Sequence, residues 1–173
     1  MSYKNEMQMY PDVTQWLKVL LSSKLPGYSI EVRDTHATPL NEYIQRHGLQ
    51  TYFGSDLWQT YDIRVDITAF VKLNSITGLV FVECKTVPIS LLHLSQLLGY
   101  SRVALPLFSY LLSSAGIGGT LRSLLTRYDR TDILEYHWQK GQLARRILVA
   151  RWDANAKGVD STSVLPPGSS GQL

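Results

Sequence analysis

The sequence contains almost no cysteine and no long apolar run. One cysteine among 173 residues excludes an intramolecular disulfide and a multi-cysteine zinc site, and it favours a reducing compartment. No apolar segment approaches the roughly 20 residues that cross a bilayer, and the N-terminus lacks the apolar core of a signal peptide. We therefore expect a cytoplasmic protein that does not associate with a membrane.

Several familiar catalytic motifs are also missing. The chain has no HExxH, no paired CxxC and no GxSxG, and its histidines are scattered. Residues 115–120 read AGIGGT and look like a phosphate-binding loop, but Leu121 occupies the third glycine position of GxGxxG. No Gly-Lys-Ser/Thr follows either, so we interpret this segment as a turn into a helix.

The composition is that of one globular domain with a polar end. Apolar residues make up 45% of the chain and charged residues 18%, which is ordinary for a folded domain of this length. We predict a single domain over residues 1–152. Residues 153–173 are rich in Gly, Ser, Pro and Asp and predict a mobile C-terminal tail.

Basic residues are concentrated in the second half of the chain. Residues 1–87 carry eight Lys and Arg against nine Asp and Glu, whereas residues 88–173 carry nine against five. A basic half beside a metal site would suit a nucleic acid, because Lys and Arg that pair with phosphates release counterions. The same arginines are also compatible with solvated faces, since a charge of this size alone is weak evidence.

Residues 61–85 predict a β-hairpin. Residues 65–71 alternate polar and apolar side chains, and residues 79–82 form an apolar run rich in β-branched and aromatic types. The residues between these runs include Asn and Gly, which favour turns. We place the centre of the turn near Ser75.

Three charged residues lie at the open end of this hairpin. Glu83 and Lys85 share one face of their strand, while Cys84 points to the other face as a core residue. The predicted turn sets Asp66 opposite Lys85 and diagonal to Glu83, within about 5–8 Å. Two carboxylates at this spacing can share Mg²⁺ or Mn²⁺, and an adjacent ammonium can stabilise a phosphate transition state. The arrangement suits hydrolysis of a phosphodiester bond.

These residues resemble the motif of the PD-(D/E)xK nuclease superfamily. Asp66 is followed by sixteen residues and then by Glu83-Cys84-Lys85. Members of the superfamily usually have proline before the aspartate, where this chain has Val65. Without other support, an ordinary ion pair on a surface hairpin would explain so short a pattern equally well.

A second motif lies in the segment after the hairpin. Gln96-Leu97-Leu98-Gly99-Tyr100 begins eleven residues after Lys85 and is similar to the Gln-xxx-Tyr motif of RecB-type nucleases. At helical spacing, His93 falls on the same stripe as Gln96 and Tyr100. The family has no histidine there, so we interpret His93 as a core histidine, and we expect the whole apolar helix to be buried.

The resemblance implies a fold, a cofactor and a set of roles. It implies a restriction endonuclease-like α/β core of the order αβββαβ, with a central mixed sheet flanked by helices. Asp66 and Glu83 would bind Mg²⁺ or Mn²⁺, and Lys85 would stabilise charge and position water. Gln96 would orient the water or the lysine, and Tyr100 would contact the substrate or brace the site.

Further ligands are expected around the same ion. The backbone carbonyl of Cys84 would complete part of an octahedral shell. In many members of the family a glutamate of the N-terminal helix approaches the metal, and Glu6 is the glutamate nearest the start of this chain. Asp62 shares the strand face of Asp66, but it would lie roughly 13 Å further along the strand and is expected to be peripheral.

The resulting functional prediction is a Mg²⁺-dependent nuclease whose substrate is DNA. The alternative is a nucleic-acid-binding or assembly subunit that keeps the fold but cleaves weakly or not at all. Under either interpretation the partner is a nucleic acid, and the chain could act as a homodimer or within a larger restriction or recombination assembly.

Periodicity and turn residues predict the remaining elements. The predicted helices cover about residues 11–23, part of 35–48, 88–102 and 121–128. The predicted strands cover residues 29–33, 103–112, 133–136 and 146–152, with a turn over 139–142.

Overall fold

The fold is a mixed α/β structure, seen in a computed structural model that describes residues 3–74, 76–138 and 144–169. Four α-helices flank an open sheet of seven strands within these residues, which confirms the predicted α/β class with a central mixed sheet. In chain order the elements are α1 (Tyr10–Lys24), β1 (Ser29–Asp34), α2 (Leu40–Arg46), β2 (Ile67–Leu73), β3 (Ile76–Lys85), α3 (Leu91–Ala104), β4 (Phe108–Ser113), α4 (Gly119–Thr126), β5 (Glu135–His137), β6 (Arg145–Asp153) and β7 (Gly158–Val159). None of the described helices is both long and apolar enough to cross a membrane.

The strand order places the end of β3 near the middle of the sheet. The order is β1-β2-β3-β4-β6-β5, and β7 pairs with β6. β1, β2 and β3 are antiparallel neighbours, whereas β3, β4 and β6 run parallel, with α3 as the crossover between β3 and β4. The carboxyl ends of these three parallel strands therefore meet at one edge, where ligands bind in open α/β sheets.

Two apolar layers cover the two faces of the sheet. On one face, α1 packs Leu17 and Leu21 into a fully buried cluster that includes Cys84. On the other face, Phe81 and Leu97 of α3 belong to a second buried cluster. The prediction that Cys84 is a core residue, on the pleat opposite Glu83 and Lys85, is confirmed.

The β2–β3 turn is tighter than expected. Leu73 pairs with Ile76, so two residues separate the strands, and Asn74 adopts a positive φ of 52°. Asparagine tolerates this left-handed conformation, which two-residue hairpin turns require. The predicted turn centre, Ser75, lies outside the described residues.

The tighter turn shifts the register of the hairpin by two residues. Ile67 pairs with Val82, so continuing the ladder sets Asp66 opposite Glu83. The expectation that Asp66 faces Lys85 is therefore wrong. Because the shift is an even number of residues, every side chain keeps its predicted face.

Some predicted boundaries were also wrong. The strand expected at residues 103–112 begins only at Phe108, because α3 continues to Ala104 and ends at Leu105 in a left-handed conformation. Half of the strand expected at residues 133–136 is confirmed, because residues 135 and 136 lie in the short strand β5, whereas residues 133 and 134 belong to the 3-10 turn Thr131–Leu134. The turn expected at residues 139–142 lies outside the described residues.

One side of α3 faces solvent. Its first turn exposes Leu91 by 44% and Leu92 by 74%, whereas Leu94 and Leu97 are buried. The expectation that this apolar helix is buried all round is therefore wrong. Leucines occur on all sides of this helix, so their pattern does not show which side the rest of the protein covers.

The folded unit continues beyond residue 152. β7 pairs with the end of β6. Leu165 and Val149 also pair, because the backbone N–H of each donates to the carbonyl of the other. Val164 and Leu165 are buried against the sheet. Although the composition of this segment predicts a mobile tail, residues 153–169 pack on the domain: Leu165 pairs with β6 and joins the cluster on the α3 side of the sheet, and Val164 joins the cluster on the α1 side.

Candidate functional site

The hairpin brings three buried charged residues to one edge of the sheet. Asp66 comes immediately before β2, and Glu83 and Lys85 end β3. Their exposed fractions are 8%, 2% and 8%, and they are the buried charged residues of the described ranges. Burying a charge is costly unless it is paired, so this cluster needs compensation from its surroundings.

Lys85 joins two carboxylates. Its Nζ lies 2.9 Å from Oε1 of Glu83 and 3.4 Å from Oε2 of Glu6, which stands on a 3-10 turn in front of α1. Burial acts to lower the pKa of Lys85, but the facing carboxylate of Glu83 outweighs burial. The pKa is therefore raised above its ordinary value, and the lysine stays charged. Glu6 therefore lies at the site, in contact with Lys85, and its role as a metal ligand remains a prediction.

Glu83 is held in a costly electrostatic environment. Burial, followed by the charge of Asp66, raises its pKa from 4.5 to about 7, although Lys85 acts in the opposite direction. Its Oε1 contacts Lys85 and Gln96, whereas its buried Oε2 has no hydrogen-bond partner among the residues that the structure describes. A buried oxygen without a partner is rare in folded proteins and calls for a positively charged or hydrogen-bonding ligand.

Asp66 is fixed through both of its oxygens. The hydroxyl of Tyr10 donates to Oδ1 at 2.8 Å, and the backbone N–H of Cys84 donates to Oδ2 at 2.8 Å. These two hydrogen bonds, one from α1 and one from β3, fix the orientation of the carboxylate. Each oxygen keeps a second lone pair for a further ligand.

Tyr10 is the site residue that the sequence prediction missed. It is the first residue of α1, it is 5% exposed, and it lies 56 positions before its partner Asp66. The sequence offers one signal for Tyr10, namely its spacing of four from Glu6. Residues four apart in a helix share a face, so a Glu6 at the site suggests that Tyr10 lies there too. No local pattern identifies a contact across so many residues.

The helix motif lies beside Glu83 as expected. Nε2 of Gln96 is 3.4 Å from Oε1 of Glu83 and 3.2 Å from the hydroxyl of Tyr100. Both residues lie on α3, where a spacing of four places them on one face. Their predicted roles in orienting water and contacting substrate are not tested by this geometry.

His93 is a capping residue and not a buried core histidine. Its Nδ1 accepts a hydrogen bond from the backbone N–H of Ser90 at 3.2 Å, at the start of α3. Its side chain is half-buried. Burial and the nearby charge of Lys85 lower its pKa, which favours the neutral ring that this bond requires.

Asp66, and not Asp62, is the aspartate that accompanies Glu83. Asp66 raises the pKa of Glu83, and Asp62 is exposed and is not among the groups that perturb it. Residues 61–65 lie outside the sheet, so the continuous strand assumed for Asp62 does not exist. The assignment of Asp66, and not Asp62, as the metal-binding aspartate remains a prediction.

The donor set fits one hydrated divalent cation. Within the described ranges no three His, Cys, Asp or Glu side chains gather as a metal cage. Mg²⁺ normally uses one or two carboxylates and keeps several waters, so Asp66 and Glu83 suffice. The unpartnered Oε2 of Glu83 supplies a free ligand atom. The carbonyl of Cys84 remains a predicted ligand.

Comparisons with protein-family models, with curated proteins and with solved structures found no match to this chain. The geometry of the site and the sequence motifs are therefore the features that indicate a function.

Removing the hydroxyl of Tyr10 should weaken both the fold and the site. We expect Tyr10→Phe to lower the free energy of unfolding by about 1 kcal/mol, as for loss of one buried hydrogen bond. It should also weaken Mn²⁺ binding measured by calorimetry, because Asp66 then keeps only the hydrogen bond from the backbone N–H of Cys84 and is held less firmly. The matched control is Tyr136→Phe, which removes a buried hydroxyl bonded to the carbonyl of Pro106. Equal Mn²⁺ binding in both variants would show that Tyr10 does not position Asp66.

Proposed function

We propose that the protein is a nuclease that hydrolyses phosphodiester bonds of DNA with Mg²⁺ or Mn²⁺. The observation that carries this proposal is the carboxylate of Glu83, which is 2% exposed and has an unpartnered Oε2 beside Asp66 and Lys85. A bound cation would reduce the repulsion between the two carboxylates and give the unpartnered oxygen of Glu83 a partner. Phosphodiester hydrolysis is the reaction that this combination with a lysine suits.

The arrangement of elements supports a restriction endonuclease-like core. α1, β1, β2, β3, α3 and β4 follow the order αβββαβ, and the two motif segments stand at β3 and α3. Residues 35–66, with α2 and two 3-10 turns, are an insertion into that order between β1 and β2.

Each residue has a role that its contacts support. Asp66 and Glu83 would hold the cation, which when bound supplies charge neutralisation and a more acidic water. Lys85, whose Nζ lies 2.9 Å from Glu83, would present its charge to the substrate phosphate and helps keep Glu83 ionised. Gln96, in contact with Glu83, would orient water, and Tyr10 keeps Asp66 in place.

One observation favours the alternative, a subunit that binds nucleic acid without cleaving it. Lys85 contacts both Glu83 and Glu6, so its charge is shared between two carboxylates before any substrate arrives. In a working nuclease, a bound cation would compete for Glu83 and leave Lys85 available to phosphate. A cleavage assay separates the two functions.

The experiment is a plasmid-nicking assay with and without chelator. We expect nicking with Mg²⁺ or Mn²⁺, none with EDTA, and loss of both nicking and Mn²⁺ binding in Asp66→Ala. The matched control is Asp62→Ala, four residues away and exposed, which should retain both. Binding of DNA without nicking would support the alternative. Unchanged Mn²⁺ binding in Asp66→Ala would place the cation elsewhere and refute the site.

A further inference from the structure

A polar cavity of about 320 Å³ lies in the insertion between β1 and β2. Its walls come from one face of α2 and from the 3-10 turn Asp56–Thr60. The lining residues are Asn41, Glu42, Gln45, Trp58 and Gln59. It is separate from the carboxylate site, which contributes none of these residues.

The walls of the cavity are fixed by hydrogen bonds within the insertion. The side-chain N–H of Asn41 donates to the carbonyl of Gln59 at 3.1 Å, and the backbone N–H of Asn41 donates to the carbonyl of Tyr61 at 3.0 Å. Trp58 is half-buried and packs its ring against the larger apolar cluster. The cavity is therefore a preformed feature of the fold.

The lining offers a flat ring and unused polar groups. Within the described residues, the indole N–H of Trp58 and the side-chain amides of Gln45 and Gln59 form no hydrogen bond with the protein. Primary amides pair with the edges of nucleobases, and aromatic rings stack on their faces. The carboxylate of Glu42 adds an acceptor for an N–H or amino group on the edge of a base.

Only a few residues of the chain separate the cavity from the carboxylate site. The backbone N–H of Leu40, which precedes Asn41, bonds to the carbonyl of Ile63. Residues 59–66 then connect the wall of the cavity to Asp66, a span of at most about 23 Å at 3.3 Å per residue. A stacked strand advances about 3.4 Å per nucleotide, so this span corresponds to at most roughly seven nucleotides.

We propose that this cavity binds an unpaired nucleobase of the substrate strand, a few nucleotides from the bond that is cleaved. The inference rests on the proposed nuclease function and adds a substrate class, namely single-stranded nucleic acid or a strand with unpaired bases. A base in a duplex presents only its groove edges, so its face cannot stack on Trp58. The geometry assigns stacking to Trp58 and edge recognition to Gln45 and Gln59.

The test measures binding without divalent cations, so that cleavage plays no part. Fluorescence anisotropy would follow a labelled thymine oligonucleotide of about twelve nucleotides, the same strand with abasic sites, and a duplex of the same length. We expect the wild-type protein to bind the thymine strand at least about tenfold more tightly than the abasic strand, as loss of a stacking contact predicts. Equal affinity for both strands would overturn the proposal, because contacts with phosphate alone would explain it. Tighter binding of the duplex would overturn it as well.

Variants then assign the preference to the cavity. Trp58→Ala should remove the tenfold difference between the two strands, and Gln59→Ala, at an exposed position, should reduce it without risk to the core. The matched control is Trp138→Ala, which truncates a tryptophan that is 68% exposed and outside the cavity. A preference that survives in both cavity variants would refute the assignment. If the wild-type protein shows the preference but never nicks DNA, the proposed function fails and the cavity assignment stands.

Discussion

Replacing Lys85 by alanine is expected to slow DNA cleavage by about 10²-fold or more, by analogy with the loss of one preorganised donor to a transition-state oxyanion. Nζ of Lys85 is charged, largely buried and anchored on Glu83 at 2.9 Å, so little reorganisation is needed when negative charge develops on the phosphate. The measurement is the single-turnover rate of plasmid nicking at saturating Mg²⁺.

The fold of this variant should survive for an electrostatic reason. Loss of Lys85 leaves Glu83 without its cationic partner, which raises the pKa of Glu83 further, and the carboxyl can take up a proton in place of the ion pair. The matched control is Lys18→Ala on the exposed face of α1, which should cleave at the wild-type rate. A Lys85→Ala protein that is folded by circular dichroism and nicks at full rate would remove the lysine from the mechanism.

The sequence was sufficient to predict the side-chain faces of the site. Alternation along a strand places Glu83 and Lys85 on one face and Cys84 in the core, whatever the length of the turn. Helical spacing likewise places Gln96 beside Tyr100. These relationships depend only on local geometry, so they hold once the elements form.

Contacts between distant segments could not be predicted in the same way. The register of the hairpin depends on the turn, and a two-residue difference moved Asp66 from Lys85 to Glu83. The hydrogen bond from Tyr10 depends on how α1 docks against the sheet, which no local pattern encodes. Composition also misjudged residues 153–169, because a few well-placed apolar side chains are enough to pack a polar segment.

The site lowers the stability of the domain, and this cost has a definite dependence on pH. The pKa of Glu83 is raised from 4.5 to about 7 in the folded protein, so the folded state binds more protons than the unfolded state between these values. Stability contributed by protonated Glu83 is therefore lost as pH rises from about 4.5 to 7. A shift of this size corresponds to about 3 kcal/mol.

Replacing Glu83 by glutamine should therefore make the protein relatively more stable at high pH while it abolishes cation-dependent cleavage. Glutamine cannot ionise, so the free energy of unfolding of Glu83→Gln minus that of the wild type should increase by about 3 kcal/mol from about pH 4.5 to about pH 8. Urea denaturation of the cation-free proteins at several pH values measures this difference. The control Glu135→Gln alters a partly exposed glutamate paired with Arg146, and because exposed ion pairs contribute little, its difference from the wild type should stay below about 1 kcal/mol. A Glu83→Gln difference that does not change with pH would show that the environment of Glu83 does not raise its pKa, and the electrostatic basis of the proposed cation site would then be wrong.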